Sequence, residues 1–181
     1  ESDRCDLKPG LYVYAAQLWS LIGLKTETKI VYKVAHSQDK EMLPDDISEA
    51  LITQVSREGK SKPNAINLIK NITPVMTAYS QCDRYLEESF DRAASEFETE
   101  NNNRCDIQQQ SAQDYANRRK QELEERIAKF KAENHLQMIP ATEGLLNKVN
   151  RELEIKKRAI AAKREVNLDL VQLAAGIIFV K

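Results

Sequence analysis

The sequence predicts an α+β chain, mostly α. A small antiparallel β head, made of an N-terminal hairpin and a C-terminal strand, carries a long projecting antiparallel helical hairpin or coiled coil. Three observations lead there. Strand-like runs rich in β-branched and aromatic residues occur at the two ends, in "LYVYAAQLWSLIG", "KIVYKVAH" and "GIIFV". The 181 residues include only 5 Gly and 5 Pro, with 30% charged side chains, which favours long helices over a loop-rich fold. Between Thr73 and Gln137 there is no Gly, and the only Pro is Pro74.

The first strand follows the turn signal Pro9-Gly10. In "KIVYKVAH", Ile30, Tyr32 and Val34 share one face, and Lys29, Val31 and Lys33 the other, the period of a half-buried strand. Several residues connect the two strands, which leaves the turn type open. Pro44 is expected to open a short helix, where its missing N–H costs no hydrogen bond. Asp45, Asp46 and Glu49 then lie near the positive helix end. Ile47, Ala50, Leu51 and Val55 form one apolar stripe, and Gly59 is the expected stop. "GKSKPN" reads as a flexible stretch.

Thr73-Pro74 is the expected N-cap and first-turn proline of a long helix. Leu86, Phe90, Ala93 and Phe97, and then Leu123, Ile127 and Phe130, step by 3 or 4 residues, the spacing of a coiled coil. Unbroken, this helix has roughly 60 residues and a length of ~90 Å. Asn101, Asn102 and Asn103 are poor helix formers and mark where it would kink. Pro140 permits a reversal. Leu146, Val149, Leu153 and Ile160 then give a second helix from Ala141 to Arg164, antiparallel to the C-terminal half of the first. The closing run "LDLVQLAAGIIFVK" is a strand whose partner must be the N-terminal hairpin. The expected divisions are 1–72 for the head, 73–165 for the helical hairpin and 166–181 for the returning strand. The second helix leaves the first half of the long one uncovered. Tyr79, Leu86, Phe90 and Phe97 are therefore partner-docking candidates, to be buried by the head, a second copy or a larger parent.

Several function classes fall away. The 27 Lys+Arg and 28 Asp+Glu nearly cancel, unlike a disordered polyelectrolyte. No apolar run approaches the ~20 residues of a membrane span, and "ESDRCDLKPG" has no signal-peptide pattern. The chain reads as a piece of a larger polypeptide. Three cysteines cannot all pair within one chain, which points to a reducing, cytoplasmic setting. The glycines at 10, 23, 59, 144 and 176 are too scattered for a phosphate loop or a dinucleotide fingerprint. His36 and His135 lack Cys partners at metal spacing and read as an edge-strand and a helix-end histidine. Cys82 and Cys105, on one helix, lie ~35 Å apart and cannot bond. Glu87-Glu88 and Glu124-Glu125 are adjacent on a helix and point in different directions, as solvated faces do. No catalytic residue, metal site or cofactor is expected in this chain, and no ATP hydrolysis by it alone.

The positive signal is charge asymmetry. Asp83 to Asp106 holds 8 acids and 3 bases, whereas Arg118 to Arg164 holds 13 bases and 7 acids. Arg118, Arg119 and Lys120, with Lys156, Lys157, Arg158, Lys163 and Arg164, are the nucleic-acid-binding candidates. In an antiparallel hairpin both groups are expected toward the head, as a patch that neutralises phosphates. The alternative is a solvated coiled-coil surface with ion pairs to Glu122, Glu125, Glu152 and Glu154.

In chain order, "LKPGLYVYAAQLW", "KIVYKVAHSQDKEMLPDDISEALI", "RRKQELEERIAKFKAEN", "GLLNKVNRELEIKKRAI" and "REVNLDLVQLAAGIIFVK" resemble the region after the motor in bacterial and archaeal Swi/Snf-type, DEAD/DEAH-like helicases. The resemblance implies a C-terminal accessory region of a DNA-stimulated ATPase that guides nucleic acid, contacts a partner or restrains the motor. Motor motifs would lie upstream, so no catalytic residue is carried over, and ATP and Mg belong to that motor. The implied partners are duplex DNA and the chain's own upstream ATPase domains. The competing expectation, from the residues themselves, is a coiled-coil module for protein interaction, including homo-oligomers through the long helix, with no nucleic-acid role.

Overall fold

The computed structural model describes residues 7–62, 69 and 71–181. Cys5 and the Pro63-Asn64 end of the expected flexible stretch lie outside them. The chain is α+β. Strands β1 (Gly10–Ile22) and β2 (Thr26–His36) are followed by helices α1 (Asp45–Glu58) and α2 (Ile72–Ala132). A short 3-10 turn (Leu136–Met138), helix α3 (Ile139–Ala162) and strand β3 (Asn167–Val180) complete it. The three strands form one antiparallel sheet in the order β2-β1-β3. The C-terminal strand therefore returns to the N-terminal hairpin, as expected.

The chain divides into two compact units. One holds the residues up to Leu21, Glu27–Ser95 and Leu168–Lys181; the other holds Ile22–Thr26 and Glu96–Asn167. In the sheet unit, β1 is the central strand, and alternate residues of it serve opposite faces. Val13, Ala15 and Trp19 pack with Val75, Ala78, Cys82 and Leu86 of α2. Tyr12, with Val34 and Ile178, packs with Leu51 of α1. A strand covered on both faces loses its polar alternation, which is why "LYVYAAQLW" is nearly continuous in apolar residues.

Burial on both faces also changes β2. The alternation separates Ile30 and Lys33 onto different faces, and of the two Ile30 is half-exposed and Lys33 is buried. Lys33 is accommodated because its ammonium reaches Asp45 at 2.6 Å and lies 3.8 Å from the centre of the Tyr85 ring. The α1 helix begins after Pro44, as expected, and Gly59 follows its last turn.

Helix α2 runs unbroken through Asn101–Asn103. Its cap is Asn71, whose Oδ1 accepts the Thr73 N–H at 3.0 Å, and not Thr73 as the Thr-Pro pair suggests. It ends where Asn134 takes a positive φ of 56° and the His135 N–H donates to Phe130 at 2.8 Å, an asparagine C-terminal cap. The reversal thus precedes Pro140, which lies in the first turn of α3.

In the second unit α2 and α3 are antiparallel. Ala112 and Ala116 pack on Val149 and Leu153, and the Cys105 thiol donates to the Ile160 carbonyl at 4.0 Å. Leu123, Leu153 and Ile160 are buried at the positions that the 3–4 spacing identifies.

Candidate functional site

The expected docking stripe on α2 is used within the chain. Leu86 is fully buried, and Tyr79 and Phe90 pack against the same sheet cluster. Phe90 meets Trp19 edge-on with ring centres 5.5 Å apart. Phe97 is also buried. Tyr79, Leu86 and Phe90 belong to the sheet unit, which includes α2 as far as Ser95, and Phe97 is buried in the second unit, so the four offer no free apolar stripe.

The expected basic residues lie on the helical hairpin and are spread along it. Each step forward on α2 is matched by a step back on α3, since Asn101 bonds the Lys163 carbonyl and Cys105 the Ile160 carbonyl. Lys156–Arg158 then lies opposite residues 107–109, and Arg118–Lys120 opposite residues 145–147. The two groups are ~16 Å apart along the hairpin, so they do not form the single expected patch. Two of the eight are neutralised locally: Arg119 binds Glu122 at 2.6 Å, and Arg164 binds Asp106. That carboxylate raises the Arg164 pKa through a direct hydrogen bond. Lys157 lines an open polar groove of about 270 Å³ with Asp106, Gln109, Gln110 and Gln113. Arg118, Lys156, Arg158 and Lys163 are exposed.

Cys82, Cys105 and His36 are packed into the fold. Burial pushes the Cys82 thiol up to about 11, so it stays protonated at neutral pH and is no nucleophile. Cys105 is equally buried and unpaired. His36 closes β2, its ring tilted against that of Tyr12 with centres 4.9 Å apart, with Nδ1 accepting the Asp39 N–H. Among the described residues, no group of three or more His, Cys, Asp or Glu could hold a metal ion. Nor is any helix long and apolar enough to cross a membrane.

Sequence reasoning missed two features. The first is a buried polar chain in which Trp19 Nε1 donates to Gln17 Oε1 at 3.1 Å and Gln17 Nε2 donates to Asp83 Oδ1 at 3.3 Å. The second is the outer side of β3. This strand has 14 residues and ends the sheet, and Val171, Leu173, Ile177 and Phe179 on it are 44%, 47%, 41% and 50% exposed. Leu170 packs on the α2-side cluster and Ile178 on the α1-side cluster, so the alternation shifts along the strand and the exposed residues are shared between its two faces. The other end of the sheet is treated differently: Ala35 bridges to Met42, and Leu43 N–H donates to the Val34 carbonyl at 2.9 Å, so residues 41–43 cover part of the β2 edge. The run "LVQLAAGIIFV" is legible as a strand, and its lack of charge is the signal for an unprotected edge.

No protein-family model, curated protein sequence or solved structure matches this chain, so the likeness to the helicase region rests on the quoted sequence segments alone.

Proposed function

We propose that this chain is a non-catalytic interaction module that joins another polypeptide at the β3 edge of its sheet. One observation carries the reading: the edge strand bears four half-exposed large apolar residues and has no charge between Asp169 and Lys181. Edge strands ordinarily carry charges, proline or a covering segment, because their free N–H and C=O groups recruit other strands. Among the described residues nothing pairs with the outer edge of β3, and an edge strand with exposed apolar side chains is suited to strand addition. The test is ANS fluorescence of the chain at concentrations low enough to keep it unassociated. Leu173→Lys with Ile177→Lys should remove most of the bound dye while the Trp19 emission maximum stays in place. Equal dye binding by both proteins would sink the reading.

A second reading follows the resemblance to Swi/Snf-type helicases: an accessory region beside an ATPase motor that touches duplex DNA. Exposed Lys156 and Arg158 on α3, with exposed Lys163 just past its end, support it as cations available to phosphates.

A further inference from the structure

We propose that the strand added at the β3 edge is amphipathic and basic: toward α2 it carries apolar side chains at one end and lysine or arginine at the other. The inference rests on β3 being a docking edge and names the chemistry of its occupant. The last residues of β3 have a fixed phase. Ile178 and Val180 pack in the α1-side cluster, and a Cβ at Gly176 would collide with the ring of Tyr14, which packs on the same cluster. Ile177 and Phe179 therefore point to the opposite face, where α2 packs, and α2 leaves both half-exposed.

The contacts of α2 show which of its flanks lies beside β3. The Cys82 thiol donates to the Val13 carbonyl and Phe90 meets Trp19, so α2 runs in the direction of β1. The Tyr85 ring beside Lys33 marks the β2 flank. Asp83, two residues and ~200° away, marks the other flank. Met76, Tyr79, Asp83, Glu87 and Phe90 step by 3 or 4 and share it. Leu170 of β3 packs in the same cluster as Phe90, which sets this flank on the β3 side. Met76 and Tyr79 then lie toward the Gly10 end of the sheet, where antiparallel β3 brings Ile177 and Phe179. Exposed Met76 and half-buried Tyr79 form one wall of a groove, and Ile177 and Phe179 the other.

Charge selects what fills it. Burial, and then the charges of Asp83 and Glu87, raise the Tyr79 pKa, so both carboxylates lie close to that wall. Asp83 accepts from Gln17, whereas Glu87 is exposed and forms no ion pair among the described residues. The stripe from Met76 to Phe90 holds no base, and Asp169 adds an acid at the start of β3. An added strand turns every second side chain toward this face. Its apolar residues would meet Ile177, Phe179 and Met76, and its cations the carboxylates further along. An acidic strand would meet like charge there.

The test is fluorescence anisotropy of labelled, end-capped peptides titrated with the full chain. The peptides carry leucines and then lysines at alternate positions, with threonine between them, in either order. At least one order should bind. Glutamate in place of lysine should weaken binding at least about tenfold. N-methylation of alternate peptide nitrogens on the pairing edge should abolish it, because strand addition uses main-chain hydrogen bonds. Glu87→Lys should weaken the lysine peptide about three- to tenfold. Glu124→Lys, the same charge change in the second unit, should leave it unchanged. Met76→Ser should weaken binding while the Trp19 emission maximum stays in place. Equal affinity for lysine and glutamate peptides, or equal losses from Glu87→Lys and Glu124→Lys, would overturn the basic occupant. Indifference to Met76→Ser would overturn the groove, and indifference to N-methylation would overturn strand addition. No binding of either lysine peptide would also overturn the basic occupant. Dye binding by the chain, lost in Leu173→Lys with Ile177→Lys, would then leave the docking edge standing with a different partner; no dye binding would remove both.

Discussion

The Oδ1 of Asn101 accepts the backbone N–H of Leu24 at 2.8 Å. The Nδ2 of the same side chain donates to the carbonyls of Lys163 and Arg164 at 3.0 and 3.3 Å. One amide thereby joins three parts of the second unit: the β1–β2 turn, the middle of α2, and the residues that follow α3. Gly23 lies against the Asn101 side chain so closely that a Cβ there would collide with it. A buried asparagine at a helical seam fixes register, because any slip leaves its donors and acceptors unpaired.

Asn101→Ala should therefore destabilise the chain by about 2 kcal/mol or more, the cost of stranding buried backbone groups. Asn102→Ala and Asn103→Ala, on exposed positions, should be neutral or gain a few tenths of a kcal/mol from about the difference in helix propensity. Urea unfolding of the three variants separates these outcomes. Equal stabilities would mean the Asn101 contacts carry no net weight.

What is legible in the sequence follows from where the apolar residues stand. The three strands, α1, the long helix and the seam at Leu146, Val149, Leu153 and Ile160 all announce themselves by period. The asparagine triplet does not, because helix propensity describes an isolated helix and Asn101 is held by tertiary bonds that more than offset its weak propensity. The spacing contains the missing clue: Ala94, Phe97, Asn101 and Cys105 step by 3, 4 and 4, which puts Asn101 on the buried seam. The burial of Lys33 is not legible for a similar reason. Alternation tells which residues share a face, but whether that face is covered depends on Asp45 and Tyr85, which lie 12 and 52 positions further along. The basic residues are visible in the sequence, but their distribution depends on the hairpin register, which Asn101 and Cys105 set.

Leu86 tests the assignment of the α2 stripe to the core. Leu86→Ala should cost about 2–5 kcal/mol, as a fully buried leucine does when it leaves a cavity. Tyr115→Ala, on a residue of the same helix that is 64% exposed, should change stability by about 0.5 kcal/mol or less. Were Leu86 instead covered only by a partner, its replacement would leave the unfolding midpoint of the dilute chain unmoved.

The Lys33–Asp45–Tyr85 group should register in the pH dependence of stability. Burial pushes the Asp45 carboxyl up, but hydrogen bonds from Lys33 at 2.6 Å and Tyr85 at 3.0 Å, with the Lys33 charge, outweigh it and hold the pKa below its ordinary value. A carboxyl lowered on folding stabilises the fold above its unfolded pKa, near about 4, and loses that contribution as pH falls through the folded value. Asp45→Asn should thus cost stability at neutral pH, and the gap from wild type should close in acid. The Asp45 side chain is 64% exposed, so solvent screening keeps the gap near about 1 kcal/mol. Lys33→Met should be milder than Asp45→Ala, since the latter leaves a buried ammonium without its carboxylate. A gap that widens on acidification would contradict the pair.

The last prediction concerns duplex DNA. Lys156 and Arg158 are exposed on α3, and Lys157 opens onto the groove that Asp106 and three glutamines line. If this stretch contacts phosphates, replacing all three bases by alanine should weaken binding about equally for every sequence, because phosphate contacts position a protein without reading bases. The logarithmic salt dependence should also become shallower by up to about 0.9 for each phosphate no longer neutralised. The hairpin should survive, since the buried Leu153 and Ile160 on either side hold the seam. Arg118→Ala with Lys120→Ala provides an independent measure. That group lies ~16 Å further along the hairpin, so a duplex following the helices would touch both, and the two losses should add in the salt slope. A duplex meeting only one end would leave one set of variants at wild-type affinity. Titrations at two salt concentrations distinguish these outcomes. If wild-type and triple-alanine chains bind alike, or neither binds at low salt, α3 has no DNA role and its cations are the solvated face of a helical hairpin.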